Sequence, residues 1–151
     1  MVANEVGISS LNIMLVEDDP ELLDMAQLWF MQCGHNVHVE SNGKDALSAL
    51  TRQEYAPDVI VSDVNMPLMD GVELAAEIKS IIPDLPIVLI SGYDRECLNS
   101  DNLPNEGLFF LPKPFRLQEL VQAVETAAYI RQESVMDQSA ITYASGGAKS
   151  L

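Results

Sequence analysis

Five short apolar runs alternate along the chain with segments whose apolar residues recur at helical spacing. Leu11 to Val16 reads as a buried strand, and Asp19-Pro20 then supplies an N-cap followed by proline at the first helical position. Leu22, Met25, Ala26, Trp29 and Cys33 line one face of that helix, and Gly34 stops it. His35 to Glu40 is a short second strand. Ser41-Asn42-Gly43 opens a helix carrying Ala46, Leu47, Ala49 and Leu50, and Pro57 closes the unit. Asp58 to Asp63 is a third strand, Asp70-Gly71 opens a helix with Leu74, Ala75, Ile78, Ile81 and Ile82 on one face, and Pro83 and Pro86 end the connection to a fourth strand, Ile87 to Ile90. Between Ser91 and Leu108 the pattern weakens. Tyr93, Cys97, Leu98 and Leu103 make a poor helical face interrupted by Pro104, which predicts a short or irregular fourth helix. Leu108 to Leu111 is the fifth strand, and Leu117, Leu120, Val121, Val124 and Ala128 give the last helix a clean stripe. From Gln132 onward small and polar residues dominate without a period. The chain therefore divides into a polar leader at 1–10, a folded unit at 11–131, and a flexible tail or truncated linker at 132–151.

Strands that are apolar throughout and alternate strictly with helices imply a parallel sheet covered on both faces, with right-handed crossovers. The fold class predicted is α/β, a flavodoxin-like doubly wound five-stranded parallel sheet with five helices. Alternation alone does not give the strand order. The order 2-1-3-4-5 would put strands one and three together at the switch point, where Glu17, Asp18 and Asp63 would meet.

Composition narrows the function classes. The 151 residues suffice for one domain with a proper core, and the hydrophobic and charged fractions of 48% and 21% are those of a soluble globular protein. There is no signal-peptide pattern and no apolar stretch near the roughly 18 residues of a membrane span, so a cytoplasmic protein with no membrane partner is expected. The formal charge of −15 is carried by 23 acidic against 8 scattered basic residues, which argues against direct nucleic-acid binding. Cys33 and Cys97 have neither CxxC spacing nor a secretory context, which favours reduced, partly buried thiols over a disulfide.

Four of the apolar runs lead into chemically useful residues: Glu17-Asp18, Asp63, Ser91 and Lys113. Parallel strands would carry all of them to one edge of the sheet. Two carboxylates in close contact repel by about 4 kcal/mol at an effective dielectric near 20, so a cluster of three asks for a compensating cation. Hard oxygen ligands in small number suit Mg2+. A carboxylate beside such an ion can attack a phosphoryl donor and become an aspartyl phosphate, with an ammonium and a hydroxyl stabilising the equatorial oxygens.

Leu15-Val-Glu-Asp18, Asp63-Val-Asn-Met-Pro-Leu-Met-Asp-Gly71, Ile90-Ser-Gly92 and Leu111-Pro-Lys-Pro-Phe115 together resemble the receiver domain of two-component response regulators, over roughly Leu11 to Arg131. The resemblance implies Asp63 as phosphoacceptor and Glu17 and Asp18 as the acidic pair holding Mg2+. It further implies Asn65 as a metal ligand through its backbone carbonyl, Lys113 as the phosphate-binding lysine, and Ser91 and Phe110 as switch residues. A cis Lys113-Pro114 bond, a sensor histidine kinase or histidine phosphotransfer protein as donor, and a downstream effector protein as target belong to the same expectation. A homodimer stays open. The weak segment before Leu108 puts the family's usual output surface in question. Because no output domain follows, a complete single-domain regulator, a phosphorelay intermediate and a fragment of something longer all remain open.

Several residues have plainer readings. Asp19 and Asp70 are placed as helix caps, and His35 and His38 as surface or half-buried structural histidines away from the acidic edge. Met66 and Met69 are loop packing, and Gly146-Gly-Ala-Lys-Ser150 lacks P-loop spacing. Two rival functions stand beside the phosphorylated switch. One is a scaffold or relay that binds its partner regardless of phosphorylation. The other is an aspartate-nucleophile phosphatase, which would want an aspartate where Asn65 stands. The chain is expected not to be an enzyme.

Overall fold

The computed structural model of the protein describes residues 10–92 and 107–149, with side chains through Glu133. The elements follow as β1 (Asn12–Val16), α1 (Pro20–Gln32), β2 (Asn36–Glu40), α2 (Gly43–Thr51), β3 (Val59–Asp63), α3 (Gly71–Ile81), β4 (Ile87–Ser91), β5 (Leu108–Pro112) and α4 (Leu117–Lys149). All strand pairs are parallel and the order is β2-β1-β3-β4-β5, so β1 and β3 are neighbours at the centre.

Local chemistry sets the helix starts. The side chains of Asp19, Asn42 and Asp70 accept the amide protons of Glu21, Asp45 and Glu73, each satisfying an N-terminal donor that has no partner within its helix. Pro20 occupies the first turn of α1, where a missing N–H costs nothing. After α1 the chain turns through Gly34 at φ 91°, a conformation glycine adopts without a Cβ clash.

Residue alternation along the strands builds two cores. Ile13, Leu15, Val59, Val61, Val88, Ile90 and Leu111 face α1 and α4, against Ala26, Phe30, Leu120, Val124 and Ala128. Met14, Val16, Ile60, Ile87, Leu89 and Leu108 face α2 and α3, against Ala46, Ala49, Leu74, Ala75 and Ile78. Burying a Leu, Ile or Phe side chain contributes about 1.5–3 kcal/mol, so these two layers hold the sheet in register. No described helix is long and apolar enough to cross a membrane.

Two expectations need correcting or bounding. Four helices rather than five are present among the described residues; the fourth helix expected between Ser91 and Leu108 falls on residues 93–106, outside them. The final helix also does not stop near Arg131 but runs to Lys149. Composition predicts a flexible tail there because the apolar stripe ends, yet loss of a stripe removes a packing face without removing helix propensity. Ala140, Ala144 and Ala148, with Gln132, Glu133, Met136 and Gln138, are good helix formers.

Candidate functional site

The carboxyl ends of β1, β3, β4 and β5 form one rim. Strand alternation puts Asp63 on the same side as Val59 and Val61, and Lys113 on the side of Leu111, so the two side chains meet across β4. Lys113 Nζ donates to Asp63 Oδ2 at 3.1 Å. The other oxygen, Oδ1, accepts the Asn65 amide N–H at 3.3 Å. The Asp63 carboxyl is thus pinned from both sides.

Glu17 and Asp18 arrive from the end of β1, where Glu17 N–H donates to the Glu40 carbonyl at 3.1 Å and extends the β1–β2 ladder. One ligand oxygen from each of Glu17, Asp18 and Asp63 lies within 4.8 Å of the others. Glu17 and Asp63 are buried at 3% and 4% exposure, whereas Asp18 opens to solvent. Burial and the neighbouring Asp63 charge push the Glu17 carboxyl up to about 7, against partial relief from the Asp19 amide, which donates to Glu17 Oε1 at 3.2 Å, and from the Lys113 charge. The rim therefore holds more negative charge than its protein partners neutralise. Hard oxygens, crowded and electrostatically frustrated, with one ligand open to water, are a donor set that fits a divalent cation such as Mg2+.

Ser91 ends β4, 2% exposed, and its carbonyl accepts the Lys113 amide N–H at 2.9 Å. The register pairs Leu89 with Phe110 and Ser91 with Pro112, so Ser91 and Phe110 share a face of the sheet. Phe110 is half-buried against the α2–α3 core. The Lys113-Pro114 peptide is cis, as the resemblance implies.

The loop after Asp63 is shaped by close packing. Gly71 N–H donates to the Val64 carbonyl at 2.8 Å, and a Cβ on Gly71 would collide with the Asp63 carbonyl oxygen and come within 2.9 Å of Val64 Cα. A glycine is required there. Leu68 takes φ 72° at 74% exposure, a strained position for a branched side chain, while Met66 and Met69 pack on the α2–α3 core.

A family model for the response regulator receiver domain matches residues 13–125. The chain belongs to this family. As a receiver domain it is a component of two-component signalling. It is 34% identical over 113 residues to the response regulator receiver protein CpdR of Brucella abortus, which covers 75% of this chain and 92% of CpdR. It is 36% identical over 118 residues to the sensor kinase CckA of the same organism, covering 77% of this chain but 12% of the kinase. Among solved structures, the response regulator TrrA of Thermotoga maritima in complex with Mg2+ and BeF superposes with a TM-score of 0.66 at 25% identity, over 77% of this chain and 97% of TrrA.

The sequence-predicted residues of the receiver site fall as follows. Glu17, Asp18, Asp63 and Lys113 converge, with Asn65 and Ser91 in the surrounding backbone network. Phe110 lies further down the sheet. Asp19 and Asp70 are helix caps, and Cys33 is a free, partly buried thiol; Cys97 lies outside the described residues. Sequence reading missed the Asp19 amide on Glu17, a backbone contact without a side-chain signature. It also missed the partner of His35, which is buried where a surface or half-buried position was expected, and lies against Glu125. A charged residue inside the stripe of Val121, Val124 and Ala128 was the available signal.

Proposed function

We propose that this receiver domain acts in the cytoplasm, accepts a phosphoryl group on Asp63 from a sensor histidine kinase or histidine phosphotransfer protein, and changes its affinity for a downstream effector through Ser91 and Phe110. The observation that carries this reading is the Lys113 ammonium 3.1 Å from Asp63 Oδ2, with the Glu17 and Asp18 carboxylates crowded beside the same group. In the transfer, an Asp63 carboxylate oxygen bonds to phosphorus as the phosphorus–nitrogen bond of the donor breaks, and the imidazole nitrogen departs with the electron pair.

Glu17, Asp18, Asp63 and the Asn65 carbonyl would hold Mg2+, which when bound supplies positive charge to the phosphoryl oxygens. Lys113 would add a second positive charge beside Asp63, and the Ser91 hydroxyl would donate to the same oxygens. The binding of Mg2+ and BeF by TrrA supports this use of a like-shaped rim. The chain is modified rather than catalytic in turnover, because Asn65 lacks the carboxyl group that a phosphatase of this type would use as acid and base.

The test is mass spectrometry after incubation with a small-molecule phosphodonor and Mg2+. One phosphoryl group should appear on the peptide containing Asp63, and Asp63→Asn should take up none. Uptake elsewhere would defeat the reading. Equal effector affinity with and without beryllium fluoride would instead favour a phosphorylation-insensitive scaffold, and steady turnover of phosphoesters would reveal an enzyme.

A further inference from the structure

The last helix is fastened to the amino end of the sheet by a buried histidine that takes no part in the acidic rim. His35 leads into β2 and is 4% exposed. Its Nδ1 lies 3.1 Å from the Leu11 amide nitrogen, and its Nε2 lies 2.8 Å from Glu125 Oε2 on α4. An amide N–H can only donate, so Nδ1 must present a lone pair and the ring proton must sit on Nε2, where it donates to Glu125. One tautomer satisfies all three groups. The Leu11 carbonyl in turn accepts the Asn36 amide at 2.8 Å, so the ring stands where β1, β2 and α4 join.

We propose that His35 is a proton-sensitive tie: a neutral Nε2–H ring that joins Glu125 of the last helix to the entry of β1, and that lets go of Leu11 when the ring takes up a second proton. The second proton can enter only at Nδ1, where it would face the Leu11 N–H and remove its acceptor. The same charge strengthens the bond from Nε2 to the Glu125 carboxylate. Protonation therefore shifts the ring's hold from strand to helix. The titratable groups gathered around this point are Glu125 from α4 and the Cys33 thiol from the end of α1, which burial and the Glu125 charge raise; Leu11, just before β1, presents its amide. The helix affected is the one that continues to Lys149, so the device acts on the element that reaches furthest along the chain from the sheet.

The full chain labelled with nitrogen-15 tests the proposal without a variant that might misfold. Ring nitrogen shifts and the protection factor of the Leu11 amide would be followed together as the sample is taken from alkaline to acid pH. At the alkaline end Nε2 should carry the proton and Nδ1 none. As the second proton enters, Leu11 protection should fall about tenfold in step, the signature of a local opening. A proton on Nδ1 at the alkaline end, a ring that stays neutral to the acid end, or Leu11 protection that does not follow the ring would each overturn it. Glu125→Gln keeps an acceptor but removes the charge, so release of Leu11 should require a lower pH; release at the wild-type pH would overturn the assignment of Glu125.

Discussion

The two ends of the sheet handle charge in opposite ways. At the carboxyl end Glu17, Asp18 and Asp63 crowd together with Lys113 as the cation in contact. At the amino end polar groups are matched with partners. Asp58 Oδ2 accepts the Asn12 amide at 2.8 Å, Lys79 Nζ donates to the Leu85 carbonyl at 2.6 Å, and His35 bridges Leu11 and Glu125. Arg131 adds bonds to the Asp58 carbonyl and to Asp84, both at 3.3 Å. Among the described residues no buried side-chain nitrogen or oxygen lacks a partner, so the difference is one of charge balance rather than of missing hydrogen bonds. Polar groups that have found hydrogen-bond partners stabilise one end, and surplus like charge leaves the other in need of a ligand.

The sharpest way to break this comparison is Asp63→Asn. Phosphoryl uptake should vanish, while the metal-free protein should melt a few degrees higher because a buried like charge has gone. Intact-mass spectrometry and thermal denaturation in a chelator check the two halves. A variant that lost uptake and also melted lower would mean the acidic rim is not frustrated.

Gly71→Ala comes next, since its Cβ would press on the Asp63 backbone that carries the proposed acceptor carboxyl. Overpacking of this kind costs about 1–3 kcal/mol, and the displaced carboxyl should also slow phosphorylation. Denaturant melts and the rate of uptake should both respond. At the other end of the sheet, Asp58→Ala removes the acceptor of the Asn12 amide and should cost about 1–2 kcal/mol while leaving phosphorylation unchanged. A slowed reaction in Asp58→Ala would show that the two ends are not separable.

The same contrast explains how much could be read from the residues. Strand ends were legible because the apolar runs give way to polar or charged residues, and helix starts because Asp19, Asn42 and Asp70 are strong capping types. The acidic rim followed, since parallel strands must deliver their carboxyl ends together. The amino-end ties were not legible in the same way. Glu125 and Lys79 sit within apolar helix faces, and which backbone or ring group satisfies them depends on how α3 and α4 settle on the sheet. Backbone contacts such as Asp19 N–H on Glu17 have no residue-type signature at all. The long run of α4 to Lys149 was missed because an amphipathic stripe predicts packing, and a helix can outlast its packed face.

The surplus charge is measured most finely at Glu17. The Glu17 carboxyl, ordinarily at 4.5, is pushed up to about 7 by burial and by Asp63. Across that window the folded protein keeps a proton that the unfolded chain would release, so more protons are bound folded than unfolded and stability must fall as pH rises. In metal-free buffer the stabilising contribution is complete below 4.5 and lost above about 7, and the melting temperature should decline by a few degrees between them. Glu17→Gln should flatten this component of the slope. Saturating Mg2+ should oppose the decline, because a cation that binds the ionised rim gains affinity as Glu17 gives up its proton. A metal-free melting profile in which wild type and Glu17→Gln share the same slope would show that Asp63 and Glu17 do not compete for charge, and the rim would then have no electrostatic reason to recruit a cation.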